Sequence, residues 1–197
     1  MPSPTFSVRR SFGFVAMLGA ALALSGCSWL FPGPPEGAQM QFSGPKVCPN
    51  TGVLKGTHYI TAFDGNGMEA NNVVYRAEIQ NAASECEYDL NNRLIYNDVG
   101  IRGLAERGPA LTGNQAALPI FLVVTDPTGS VLIKRRYDVV VTFEDGQVRE
   151  DFVQTVENLR LPITPDITGA SYEILYGFQL SPAQVEFNET HDPVRLY

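Results

Sequence analysis

The chain predicts an all-β protein, a two-sheet antiparallel β-sandwich, and two observations carry that expectation. Apolar residues recur at every second position in run after run, the period of a half-buried strand. The runs are separated by Gly, Pro, Asn and Asp turns rather than by helices, which excludes a βαβ architecture. Immunoglobulin-like topology is the first expectation and a small closed β-barrel the alternative. No Trp lies between Cys48 and Cys86, so the Cys-Trp-Cys core signature of immunoglobulin domains is missing.

The elements follow in order. Val53 to Phe63 reads as a first strand. Val73, Tyr75, Ala77 and Ile79 alternate with Val74, Arg76, Glu78 and Gln80, giving one apolar and one mostly polar face. In Glu85-Cys86-Glu87-Tyr88-Asp89-Leu90 the acids alternate with Cys, Tyr and Leu, which points Cys86 to an apolar face. Arg93 to about Arg102 supplies a further strand. Pro119 to Val124 is apolar throughout after the Pro, as expected of a strand covered on both sides. Asp126-Pro127-Thr128-Gly129 is a turn, with Pro fixing φ and Gly allowing a positive one. Beyond it Val131, Ile133, Tyr137, Val139, Val141 and Phe143 share one parity, and the two runs form a hairpin. Glu144-Asp145-Gly146-Gln147 turns the chain into Val148 to Val156, and Leu159, Leu161 and Ile163 make another short strand. Tyr172, Ile174, Tyr176, Phe178 and Leu180 form the last stripe. Ser181 then offers an N-cap and Pro182 a first helical residue for one short helix.

The amino-terminal segment has a different character. Arg9 and Arg10 precede an uncharged stretch, Ser11 to Ala23, too short to span a bilayer as a permanent helix, and Leu24-Ser25-Gly26-Cys27 follows directly. These residues resemble the signal peptide and lipobox of bacterial membrane lipoproteins: Leu three before the Cys, a small residue next, and Gly immediately before it. The resemblance covers the first 27 residues and implies removal of residues 1–26, a diacylglycerol thioether on Cys27 and, in Gram-negative bacteria, a third acyl chain. At roughly 0.8 kcal/mol per buried CH₂ such an anchor is effectively permanent. Ser28 stands where an Asp would resemble the inner-membrane retention signal of enterobacterial lipoproteins. The expected location is therefore the periplasmic side of the outer membrane.

Removing the signal takes Arg9 and Arg10 from 14 Lys+Arg and leaves 12 against 21 Asp+Glu, a mature charge of −9. That sign argues against nucleic acid as a partner. With Cys27 assigned to lipid, Cys48 and Cys86 remain, and in an oxidising compartment the pair reads as a disulfide. Residues 27–46 read as a tether: Pro32, Pro34, Pro35 and Pro45 alternate with Gly33, Gly37 and Gly44. Its reach is at most about 60 Å at ~3.3 Å per residue. Residues 47–187 form the sandwich, and 188–197 a polar tail.

Several clusters read better as structure than as sites. Asp64-Gly65-Asn66-Gly67-Met68-Glu69 opens like a calcium loop, but Met68 and Glu69 stand where an oxygen ligand and Gly are wanted, so a turn is expected. Glu85, Glu87 and Asp89 lie ~6.5 to 7 Å apart along a strand, wide for sharing one ion. Arg135, within Lys134-Arg135-Arg136, falls on the apolar parity, where a buried ion pair, a strand end or a ligand are open readings. Neither metal nor cofactor is expected. No G-x-S-x-G, phosphate loop or dinucleotide fingerprint occurs, and neither His58 nor His191 has an orienting carboxylate in a catalytic setting.

The expected function is a non-catalytic interaction or structural module of an envelope assembly, with an envelope protein as partner. A carrier of a small apolar ligand or lipid and a hydrolase with an unrecognised site are the alternatives. Leu175, with Gly177 allowing a neighbouring backbone to approach, is the candidate docking surface.

Overall fold

A computed structural model describes residues 45–191. The signal segment, Cys27, the tether through residue 44 and the last six residues lie outside the described residues. The described part is the sandwich that the alternation predicts. One sheet has the order β2 (Tyr59–Phe63), β3 (Val73–Asp89), β4 (Leu94–Arg107), β7 (Arg149–Pro162), all antiparallel. The other has the order β1 (Asn50–Val53), β8 (Glu173–Phe178), β5 (Gln115–Thr125), β6 (Val131–Thr142). Both sheets have open edges, so the barrel alternative does not hold. The connectivity differs from a constant-type immunoglobulin domain, whose last two strands share a sheet; here β7 and β8 lie in opposite sheets.

Three elements depart from the alternation, each for a local reason. Val53 to Phe63 is two strands, because Gly56 takes φ +81° and turns the chain from one sheet to the other. β1 thereby pairs in parallel with β8, while β2 pairs with β3. The runs 73–80 and 85–90 are instead one strand, β3, with a bulge between Ile79 and Asn81. A bulge inserts one residue and exchanges the two faces. Odd residues Val73 to Ile79 are therefore buried before it, and even residues Ala82 to Tyr88 face inward after it. The same device joins Val148 to Val156 with Leu159 to Ile163 into β7. Asp98 stands opposite the extra residues, Asn158 takes φ +56°, and its N–H donates to Asp98 Oδ1 at 2.8 Å.

The expected β5–β6 hairpin is present, with Gly129 at φ +82° in its turn. Asp126 Oδ1 accepts from the N–H groups of Thr128 and Ser130 and from the Thr128 hydroxyl. Those bonds hold the Asp126 carboxyl below its ordinary range. The core lies between the sheets: Ile95, Val99 and Ile101 from β4 and Leu118, Ile120, Leu122 and Val124 from β5 are fully buried. Gly103 is required by its neighbour, since a Cβ there would meet Phe152 Cζ at 2.4 Å and Glu78 O at 2.3 Å. The Phe152 ring fills the place of the missing side chain and also reaches Phe178, with centroids 6.2 Å apart.

Tyr75 ties the layers together, its hydroxyl donating to the Ala117 carbonyl of the opposite sheet at 2.9 Å. Burial, with a smaller contribution from the Asp138 carboxylate, pushes its phenol up to about 12. Between pH 10 and 12 the unfolded chain loses this proton while the folded one keeps it. Stability is therefore present below pH 10 and falls as pH rises through that window, by up to roughly 2 to 3 kcal/mol. Urea denaturation from pH 9 to 12 should show a flatter alkaline decline for Tyr75→Phe than for the parent. Equal slopes would show that Tyr75 does not drive it.

Candidate functional site

At one end of the sandwich the incoming chain is fastened before β1 begins. Cys48 and Cys86 are bonded, with a Cα–Cα distance of 5.6 Å, as the leftover pair predicts. The inward parity of Cys86 places its sulfur at the core's edge. Tyr88, two residues further on the same face, donates its hydroxyl to Val47 O at 2.6 Å and accepts from Gly169 N at 3.0 Å. Gly169 is needed here because a Cβ would lie 2.0 Å from Val47 O. Beside Cys86, the buried Asn97 amide donates to Glu85 O at 2.7 Å and exchanges hydrogen bonds with the Ser84 hydroxyl. A polar side chain at a core position is satisfied in this way.

The outer face of the same region carries the acidic row. Glu85 and Glu87 are exposed, Asp89 binds Asn92 through both carboxylate oxygens, and Asp98 faces Glu85 from β4. Clefts of about 470 and 410 Å³ run along it, both lined by Glu87 and Tyr96. The Arg160 guanidinium stands 5.9 Å from the Tyr96 ring centroid. Among the described residues no group of three or more His, Cys, Asp or Glu is placed to hold a metal. Asp64 forms the expected turn, accepting from Asn66 N and Nδ2.

Leu175 is half-buried on the outer face of the β1-β8-β5-β6 sheet, opposite Gly52 on β1 and Val123 on β5. Gly177 is buried, and the group that approaches it is this chain's own Thr57, whose Oγ1 would lie 1.9 Å from a Cβ. Phe178 N donates to Thr57 O at 2.8 Å, closing the β1–β2 connection over that spot. Leu175 therefore stays at the surface while Gly177 is covered. Arg135 is exposed rather than paired inside, and its neighbour Arg136 bridges Asp138 at 3.0 Å.

The four sheet edges differ in how they are finished. β1 has only four residues, β6 carries Lys134-Arg135-Arg136, and β7 carries Arg149, Glu150 and Asp151 and is bulged at Asn158. Short length, charge and bulges all discourage a second strand from adding. The β2 edge is finished by helix α1 (Pro182–Thr190). Ser181 caps it and Gln184 closes a capping box, as the Ser-Pro start predicts. Gln184 Nε2 donates to Thr61 O and Asn188 Nδ2 to Tyr59 O, each at 3.1 Å. Phe187 meets Phe63 edge to face at 5.1 Å. Asn188 to Thr190, the start of the expected polar tail, thus belong to this helix. The i, i+4 spacing of Gln184 and Asn188 marks a shared helix face in the sequence, but not the strand edge that this face meets. Next to the helix start lies a cleft of about 370 Å³ lined by Phe63, Gly65, Gly67, Met68, Ser181, Ala183 and Gln184.

No family model matches the chain, and neither the curated proteins nor the solved structures include one similar to it.

Proposed function

We propose that this chain is a lipid-anchored, non-catalytic interaction module of a bacterial cell envelope, held at Cys27 and presented to the periplasm from the outer membrane. The observation that carries this reading is the Cys48–Cys86 bond. It suits an exported, oxidising setting, and it leaves Cys27 as the one remaining cysteine of three, inside the lipobox. A docking module is favoured over a carrier because Phe143, Phe152, Phe178, Tyr75, Tyr172 and Tyr176 belong to one buried cluster between the sheets. A carrier would need such rings to line a ligand space. The partner is an envelope protein; the acidic balance disfavours nucleic acid.

The test is expression of Cys27→Ala in a Gram-negative host with a fatty-acid analogue. The parent should take up label and partition into detergent, and the variant should do neither. Label on the variant would remove the anchor reading. Cross-linking the anchored parent and identifying what it recovers from membrane extract then tests the module reading, which fails if nothing beyond the chain itself is recovered.

A further inference from the structure

We propose that the β2 edge is a strand-addition site and that α1 is its built-in, displaceable cover. This deepens the interaction-module reading by naming the surface and the kind of partner. The helix substitutes for a strand by a match of spacings. Gln184 and Asn188 are about 6 Å apart along a helix rising 1.5 Å per residue. The Tyr59 and Thr61 carbonyls are about 6.5 to 7 Å apart along a strand. Two successive outward carbonyls can therefore each receive a side-chain amide proton, and both do. Main-chain N–H groups of an added strand would fill the same two places.

Two further features make the cover removable and the edge selective. α1 has no buried residue, and a nine-residue helix is marginal in water without tertiary support. Its hold on β2 rests on the two amide bonds and the Phe187–Phe63 contact. At the end of the same edge Phe63 and Met68 form the wall of a cleft whose other side is Ser181, Ala183 and Gln184, so displacing α1 leaves these two apolar side chains open to a new occupant. In recognition by strand addition, main-chain bonds supply affinity and side-chain pockets supply specificity. The occupant is thus an extended segment of an envelope protein that presents a large apolar side chain to Phe63 and Met68. The β1, β6 and β7 edges, being short, cationic or bulged, do not offer it an equivalent place.

The experiment compares the mature parent with a Gln184→Ala, Asn188→Ala double variant. The probe is a fluorescein-labelled seven-residue peptide of alternating Thr and aliphatic residues with a central Leu. Binding should tighten about ten- to a hundredfold in the double variant, because two hydrogen bonds no longer compete with the peptide. N-methylation of alternate peptide amides should abolish the gain. Met68→Glu in the opened background should weaken the Leu probe more than one with a central Ala. Equal affinity for parent and double variant, or equal binding of the N-methylated peptide, would overturn the proposal. Should the double variant fail to fold, Asn188→Ala alone leaves the capping box intact and should give a three- to tenfold gain; no gain there overturns it equally. The assay does not involve Cys27, so failure of the anchor reading leaves it untouched. Conversely, partners recovered equally by parent and double variant, with no peptide binding, would retain the module and remove this site.

Discussion

Removing the Cys48–Cys86 bond, by reduction or by replacing both residues with Ser, is expected to lower the stability of the sandwich by roughly 3 to 4 kcal/mol. The two cysteines are 38 residues apart, and opening a loop of that length returns conformational entropy to the unfolded chain. For a domain of this size the loss corresponds to a melting temperature lower by about 6 to 16 °C. The damage should be local to the entry end, since the Tyr88 hydroxyl bridge to Val47 and Gly169 is positioned by the same strand. Urea curves with and without a reductant measure it directly. Coincident curves would mean that the surrounding packing alone holds residues 45–49 in place.

The second large effect concerns Gly103 and Phe152. Phe152→Ala should cost about 3 to 5 kcal/mol, since it removes a buried ring from the contact with Phe178. Gly103→Ala should cost about 1 to 3 kcal/mol, because the new Cβ meets the ring and the Glu78 carbonyl at once. The two losses should not add. Phe152→Ala vacates the space that Gly103→Ala needs, so the double variant should be more stable than the sum of the singles implies, by about 1 kcal/mol or more. Strict additivity in a denaturant cycle would place the strain of Gly103→Ala on the Glu78 backbone instead.

Much of this fold was legible because strand alternation is a direct record of burial. Val141 and Phe143, Leu118 to Val124 at even positions and Tyr172 to Phe178 at even positions face the core as their spacing implies, whereas Val131 is exposed beyond a register shift and Pro119 and Val123 are only half-buried on the outer face of β5 rather than covered. Alternation reads one pairing partner at a time, however, and a bulge reverses its phase. Ile79 to Asn81 and Asn158 therefore looked like strand ends when they are kinks inside long strands. Val53 to Phe63 reads as one strand by alternation, whereas Gly56 within it marks the crossing between sheets. The disulfide was legible from a count and a parity. The β2 cover was not, because its meaning lies in where α1 lands, and nothing local to Gln184 or Asn188 specifies a strand edge 123 or 129 residues earlier.

The sulfur bridge also decides how the domain bears tension. A pull arriving along the backbone from residue 45 divides at Cys48, and the stiff covalent route runs through the two sulfurs into β3 at Cys86. Residues 49–85 form a closed bypass that stays slack. The load enters β3 beyond its bulge, in the stretch Asn81–Asp89 that pairs residue for residue with β4. β1, whose four residues would be the first to peel if the chain were pulled in sequence order, is excluded from the load path altogether. A pull entering at residue 45 is thereby borne by the long β3–β4 pairing rather than by the four residues of β1.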